Sequence, residues 1–133
     1  MYGDPKNDIC LVGTSLLLPV AEPRSFSSLK VGETVYAVGA PRGLELSLSS
    51  GIIAQLRGDP IFEPPLLIQT TAPISPGSSG GGLFDERGRL VGLTSFQFRD
   101  SQSLNFAIAI NMANGITDKP MMSLKELAER MKH

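Results

Sequence analysis

The chain has 133 residues, a length that fits one domain. Charged residues make up 19% against a usual ~25%, and twelve basic and thirteen acidic side chains leave a net charge of −1. With its Lys and Arg scattered, the chain carries no electrostatic footprint for nucleic acid or anionic lipid. Cys10 and His133 are the only residues of their types, which excludes an intrachain disulfide, an ordinary zinc site and a Ser–His or Cys–His pair within the body of the chain.

The first residues, Met1-Tyr2-Gly3-Asp4-Pro5-Lys6, lack a hydrophobic signal segment, so no export address is expected in this chain. Seven short apolar runs follow, at 9–13, 34–39, 46–49, 51–56, 66–70, 90–98 and 104–110. They are rich in Val, Ile, Leu, Thr or Phe, which suits half-buried pleated strands. Glycine (14) and proline (10) exceed their average share, and they fall where turns are needed. Lys30-Val31-Gly32-Glu33, Ala40-Pro41-Arg42-Gly43 and Asp85-Glu86-Arg87-Gly88 all read as turns. No helix-length amphipathic pattern separates the runs, so an antiparallel all-β barrel or sandwich is expected.

The longest uncharged run, from Pro64 to Phe84, contains four prolines and a Gly/Ser/Thr cluster, so it cannot be a membrane-spanning helix. Within it lies Ser75-Pro76-Gly77-Ser78-Ser79-Gly80-Gly81-Gly82. A serine nucleophile needs a tight turn that exposes its hydroxyl and lets backbone N–H groups converge as an oxyanion hole. Glycines on both sides supply the backbone freedom for such a turn. On composition alone the segment also reads as a flexible linker. It also reads as a backbone nest for an anion, although no Gly-Lys-Ser/Thr follows as in a phosphate-binding loop.

The chain ends on the one helical pattern. Ser123 and Glu126 have the spacing of a capping box, with Met122 and Leu127 placed for a hydrophobic staple. Leu124, Leu127, Ala128 and Met131 form a helical stripe, which predicts a helix from about Ser123 to Lys132 with one buried face.

Five stretches together resemble the second half of a trypsin-like serine protease of the HtrA-like group, in the chymotrypsin superfamily. Leu29-Lys30-Val31-Gly32-Glu33 with Ala37-Val38-Gly39-Ala40-Pro41-Arg42-Gly43-Leu44 is the first, and Ser50-Gly51-Ile52-Ile53-Ala54 the second. The third runs from Ile68-Gln69-Thr70 through Pro76-Gly77-Ser78-Ser79-Gly80-Gly81; Leu90-Val91-Gly92-Leu93 and Leu104-Asn105-Phe106-Ala107-Ile108 complete the series. Order and spacing agree from about Asp8 to Asn111.

The resemblance implies a six-stranded antiparallel barrel, the second of a two-barrel fold, with a short C-terminal helix. Residues 1–28 would be the last strand of the first barrel plus a linker, 29–117 the second barrel and 118–133 the helical end. It implies Ser79 as nucleophile, the Gly77 and Ser79 amides as oxyanion hole and Asp8 as the triad acid. Ser95 would bond that acid and pair with substrate backbone next to Phe96. Taken without the resemblance, Asp8 reads as a solvated turn aspartate and Ser95 as a strand serine on a polar face. Pro73, Ile74 and Ser75, with Asn105 on a facing strand, would set side-chain preference. None is acidic, which favours small or medium apolar side chains. Pro73, Ser75 and Ser78 depart from the family's usual Ala, Asn and Asn.

In this superfamily the triad runs His, Asp, Ser. No histidine lies between Asp8 and Ser79, and the seven residues before Asp8 contain none. The expectation is therefore a portion of a serine endopeptidase acting through an acyl-serine intermediate, inactive alone for want of the histidine. Its partners would be a peptide or unfolded-protein substrate and the absent first barrel, with self-association of the isolated piece through an unpaired strand at 9–13. No cofactor, metal, nucleic acid or membrane is expected. The longer protein would be bacterial and extracytoplasmic, periplasmic or secreted. A non-catalytic peptide-binding or scaffold relative and an unrelated β-barrel binding module are the alternatives.

Overall fold

The computed structural model describes residues 1–40, 45–59, 65–75, 77–95, 105–118, 121 and 123–130. It opens with a hairpin, β1 (Tyr2–Asp4) against β2 (Ile9–Leu11), and an exposed segment then leads to Pro23. Six strands follow: β3 (Thr34–Gly39), β4 (Ser47–Arg57), β5 (Leu67–Thr70), β6 (Gly82–Phe84), β7 (Leu90–Ser95) and β8 (Asn105–Ala109). They close an antiparallel barrel in the order β3-β4-β5-β8-β7-β6, and β6 returns to β3 through Ala37↔Leu83. The expected six-stranded barrel is therefore present.

The barrel closes on inward-facing apolar side chains. Val35, Ile53, Ile68, Leu83 and Val91, one from each of five strands, are essentially inaccessible. Closing a small sheet this way removes its open edges. The expected runs at 46–49 and 51–56 are one continuous strand instead. The first half of β4 pairs with β3, from Gly39↔Ser47 to Thr34↔Ile52, and its second half pairs with β5, from Ile53↔Thr70 to Arg57↔Leu67. The ladder is irregular between Ile53 and Gln55, where a barrel corner needs a bend.

Two expectations at the termini need correction. The strand at 9–13 is only Ile9–Leu11, and Tyr2–Asp4 pairs with it, so it is not an orphan. Three residues carry no readable periodicity, which is why the sequence did not reveal β1. The helix, α1 (Leu124–Arg130), starts as its capping box predicts: Ser123 N donates to Glu126 Oε2 at 2.8 Å and Glu126 N to Ser123 Oγ at 3.2 Å. Ala128 on the expected apolar stripe is exposed, so that part of the face is uncovered. Met122, Met131 and Lys132 lie outside the described residues, as do the turn at 41–43, the far end of the run at 90–98 (96–98) and the first residue of the run at 104–110, Leu104. No helix among the described residues is long and apolar enough to cross a membrane.

An ion network ties the connecting segment to the barrel. Arg24 Nη1 reaches Glu33 Oε1 at 2.8 Å and Asp85 Oδ2 at 3.3 Å, and Arg89 Nε donates to Asp85 Oδ2 at 2.8 Å. Asp85 Oδ1 accepts from the Arg87 and Arg89 amides, so this buried carboxylate closes the 85–88 turn as well. The Arg24 hydrogen bond holds Glu33 below the usual carboxylate range, and Glu33 in turn raises Arg24. Burial alone would raise Asp85, but the amides and guanidinium around it outweigh that and leave it lowered.

Candidate active site

The site is built from two turns that the barrel brings together. The first is the loop of the N-terminal hairpin, Pro5-Lys6-Asn7-Asp8. Asp4 fixes its start: Asn7 N donates to Asp4 O at 3.2 Å, and Asn7 Nδ2 donates to Asp4 Oδ2 at 2.8 Å. Asp at the first position and Pro at the second are the choices a type I turn favours. Asp8 then takes φ +57°, the left-handed region that Asp tolerates better than most residues. Ile9, the next residue, packs on Ile108 of β8 and Ile116, which anchors the hairpin to the barrel.

That anchoring puts Asp8 beside the end of β7. Ser95 Oγ donates to Asp8 Oδ2 at 2.5 Å. Ser95 is buried, while Asp8 is half-buried. The two aspartates of the loop thus have different work: Asp4 shapes the turn, and Asp8 is aimed at the barrel.

The second turn carries Ser79. Ser78 N donates to Ser75 O at 3.0 Å, closing a turn with Gly77 in its third position at φ +91°, as a type II turn requires. Gly81 N donates to Ser78 O at 3.1 Å, and Gly80 N donates to Thr94 O at 2.8 Å. Ser79 is exposed at the tip, its hydroxyl 3.5 Å from Thr94 O. Among the described residues, neither the Gly77 nor the Ser79 amide donates to a backbone carbonyl.

Asp8 and Ser79 line one open cavity of about 270 Å³, together with Cys10 and Thr94. Pro73, Ile74 and Ser75 line a different one, about 220 Å³, walled by Ser78 and the β3–β4 hairpin. Ile74 also packs on the core, and Ser49 Oγ donates to Pro73 O at 2.6 Å. Asn105 sits at the start of β8, and its side-chain Nδ2 donates to Ala72 O at 2.9 Å, bracing the approach to that loop. Phe96 lies outside the described residues. The structure therefore brings Asp8, Ser95 and Ser79 around β7 and sets Pro73, Ile74 and Ser75 on the other side of the Ser79 turn. Sequence reasoning passed over Thr94, which touches both sides of the arrangement. A threonine in a strand gives no signal of that kind.

The chain matches the family model described as a trypsin-like peptidase domain over residues 1–93. It is 37% identical over 121 residues to a probable periplasmic serine endoprotease DegP-like of Pseudomonas fulva, covering 87% of this chain and 25% of that protein. It is likewise 37% identical over 137 residues to the serine protease PepD of Mycobacterium tuberculosis, covering 87% of this chain and 29% of that protein. Among solved structures, the HtrA-type protease AlgW with decapeptide superposes with a TM-score of 0.62 at 28% identity, over 87% of this chain and 34% of that one. The chain thus spans roughly a quarter of the length of the curated relatives it matches. By these matches and by its closed six-stranded barrel, the chain belongs to the trypsin-like peptidase family, in its HtrA-like group.

Proposed function

We propose that this chain supplies the nucleophile and the acid of an HtrA-like serine endopeptidase, and that a preceding barrel of a longer protein supplies the histidine. The observation that carries this reading is the shared cavity: Asp8 and Ser79, 71 positions apart in sequence, line the same open space. Ser79 Oγ would attack the peptide carbonyl carbon and pass its proton through the histidine to the leaving amine. Water would then release the acyl group by the reverse route. Asp8, held by Ser95, would fix the histidine ring and stabilise its charged form. The Gly77 and Ser79 amides, without backbone acceptors among the described residues, are free to receive the oxyanion.

No step in this chemistry calls for a metal or cofactor. Pro73, Ile74 and Ser75, with Asn105, would favour small or medium apolar side chains, Ser95 and Phe96 would lie along the substrate backbone, and the substrate would be a peptide or an unfolded protein. The decapeptide in the AlgW structure supports peptide binding by this fold. The names of the DegP-like relatives, which describe periplasmic enzymes, support an extracytoplasmic bacterial location for the longer protein.

The absent barrel would also cover surface. Leu16, Leu17, Leu18 and Val20 in the connecting segment are at least 64% exposed, and Leu11 and Val12 of the neighbouring stretch are exposed too. Such contiguous apolar patches tend to find partners, so the isolated chain should self-associate. Light scattering at rising concentration checks this; a constant monomer mass would refute it. The function itself is tested by peptide cleavage with the full-length protein. Ser79→Ala should abolish turnover, and retained turnover would overturn the assignment.

A further inference from the structure

Thr94, the penultimate residue of β7, is 2% exposed and spends all its polar atoms on one loop. Its Oγ1 donates to Ser78 O at 2.8 Å and lies 3.3 Å from Gly81 O. Its N–H donates to Gly81 O at 2.8 Å, and its carbonyl accepts from Gly80 N at 2.8 Å. Neighbouring side chains on a strand point to opposite faces. Thr94 therefore serves the Ser79 turn while Ser95, one residue on, serves Asp8.

The Ser78 carbonyl is the informative partner. It belongs to the same peptide group as the Ser79 N–H, and a planar trans peptide directs its N–H opposite to its C=O. Drawing the Ser78 carbonyl toward buried Thr94 turns the Ser79 N–H away from it, toward the exposed side of the loop. The Gly81 amide donates to the same oxygen at 3.1 Å, so two donors hold this carbonyl. Rotating the peptide would break both bonds and leave the buried Thr94 hydroxyl only its longer contact to Gly81 O, which is costly.

We propose that Thr94 is a positioning residue: its hydroxyl sets the direction of the Ser79 backbone amide and so tunes an oxyanion donor. This rests on the reading of Ser79 as nucleophile. The test compares Thr94→Val, which loses the hydroxyl at similar volume, with Thr94→Ser, which keeps it.

Since a whole oxyanion donor is worth about 10²–10³ in turnover, a misdirected one should cost roughly 10- to 100-fold in kcat. In the full-length protein, Thr94→Val should show that loss with little change in KM, and a peptide boronate should bind more weakly by a similar factor. Thr94→Ser should recover most of the activity. A second measurement needs no activity: residual dipolar couplings of the Ser79 N–H in this chain should change in Thr94→Val and not in Thr94→Ser. An unchanged N–H direction in Thr94→Val, or equal impairment of the two variants, would overturn the positioning role. Cleavage that survives Ser79→Ala would instead overturn the nucleophile reading and leave the dipolar couplings to decide the geometry.

Discussion

Ser95 Oγ donates to Asp8 Oδ2 at 2.5 Å, joining the end of β7 to a hairpin loop 87 positions earlier in the chain. The contact joins the chain's two sheets, the closed barrel and the two-stranded hairpin, which also meet where Ile9 packs on Ile108. A hydrogen bond to an ionised carboxylate contributes about 1.5–3 kcal/mol net, so Ser95→Ala should cost an amount in that range. In an Asp8→Ala background the same change should cost much less, because the partner is already gone. A double-mutant cycle on urea unfolding measures the coupling. Costs that simply add would show that the contact carries no coupling energy.

The charge network at Arg24 makes a separate prediction about acid. Glu33 and Asp85 both have lowered pKa values in the folded chain, so folding favours their ionised forms. A lowered carboxylate contributes stability that is fully present above its unfolded pKa, near 4, and is lost as pH falls through the folded value. Stability should therefore hold from neutral pH to about 5 and then decline, as the unfolded chain begins to bind protons that the folded chain refuses. Glu33→Gln should lower stability at pH 7 and flatten this acid limb, and Asp85→Asn should do the same with a larger loss, since Asp85 is the more buried. Urea midpoints from pH 7 to 3 check it. Parallel acid limbs in wild type and both variants would refute the assignment.

Gly51 shows why one strand was misread as two. Ser49-Ser50-Gly51 has the composition of a break, yet β4 runs straight through it because the strand is ordered by partners on both sides, β3 and then β5. The glycine is there for space. A Cβ at Gly51 would stand 2.3 Å from Ala72 N and 2.7 Å from Ala72 Cα and Thr71 C, all of them backbone atoms. Overpacking of this kind costs about 1–3 kcal/mol or more, and Gly51→Ala should lower the urea midpoint accordingly. An unchanged midpoint would mean that Thr71 and Ala72, just past the end of β5, can move away freely.

The barrel was legible because most of its core residues, such as Val35, Ile68 or Val91, sit in short apolar runs closed by residues with turn chemistry. The Asp85 turn forms as its residues suggest, with Gly88 at φ +76°. What stayed hidden depends on contacts distant in sequence. Tyr2–Asp4 becomes a strand only because Ile9–Leu11 lies beside it, and Arg24 becomes a clamp only once the barrel presents Glu33 and Asp85. The candidate site divides the same way. The glycines around Ser79 announce a tight turn, whereas the meeting of Asp8 with Ser95 needs the hairpin to dock through Ile9 on Ile108.

On its own the chain should be inactive. His133 is its one histidine, eleven residues beyond the capping box's first neighbour Met122 and outside the described residues. A serine hydroxyl without an adjacent base stays neutral and weakly nucleophilic at pH 7. Loss of one member of a serine triad can cost up to about 10⁶ in turnover, leaving only what the oxyanion donors and substrate binding supply. The isolated chain should therefore leave peptide substrates intact and react slowly with a serine-directed phosphonate. Adding the proposed histidine-bearing barrel, as one polypeptide or as a separate chain, should restore labelling at Ser79. Mass spectrometry of the labelled peptide checks both halves of the prediction. Rapid, stoichiometric labelling of Ser79 in the isolated chain would show that a base lies within these 133 residues, and the division of the triad between two barrels would be wrong.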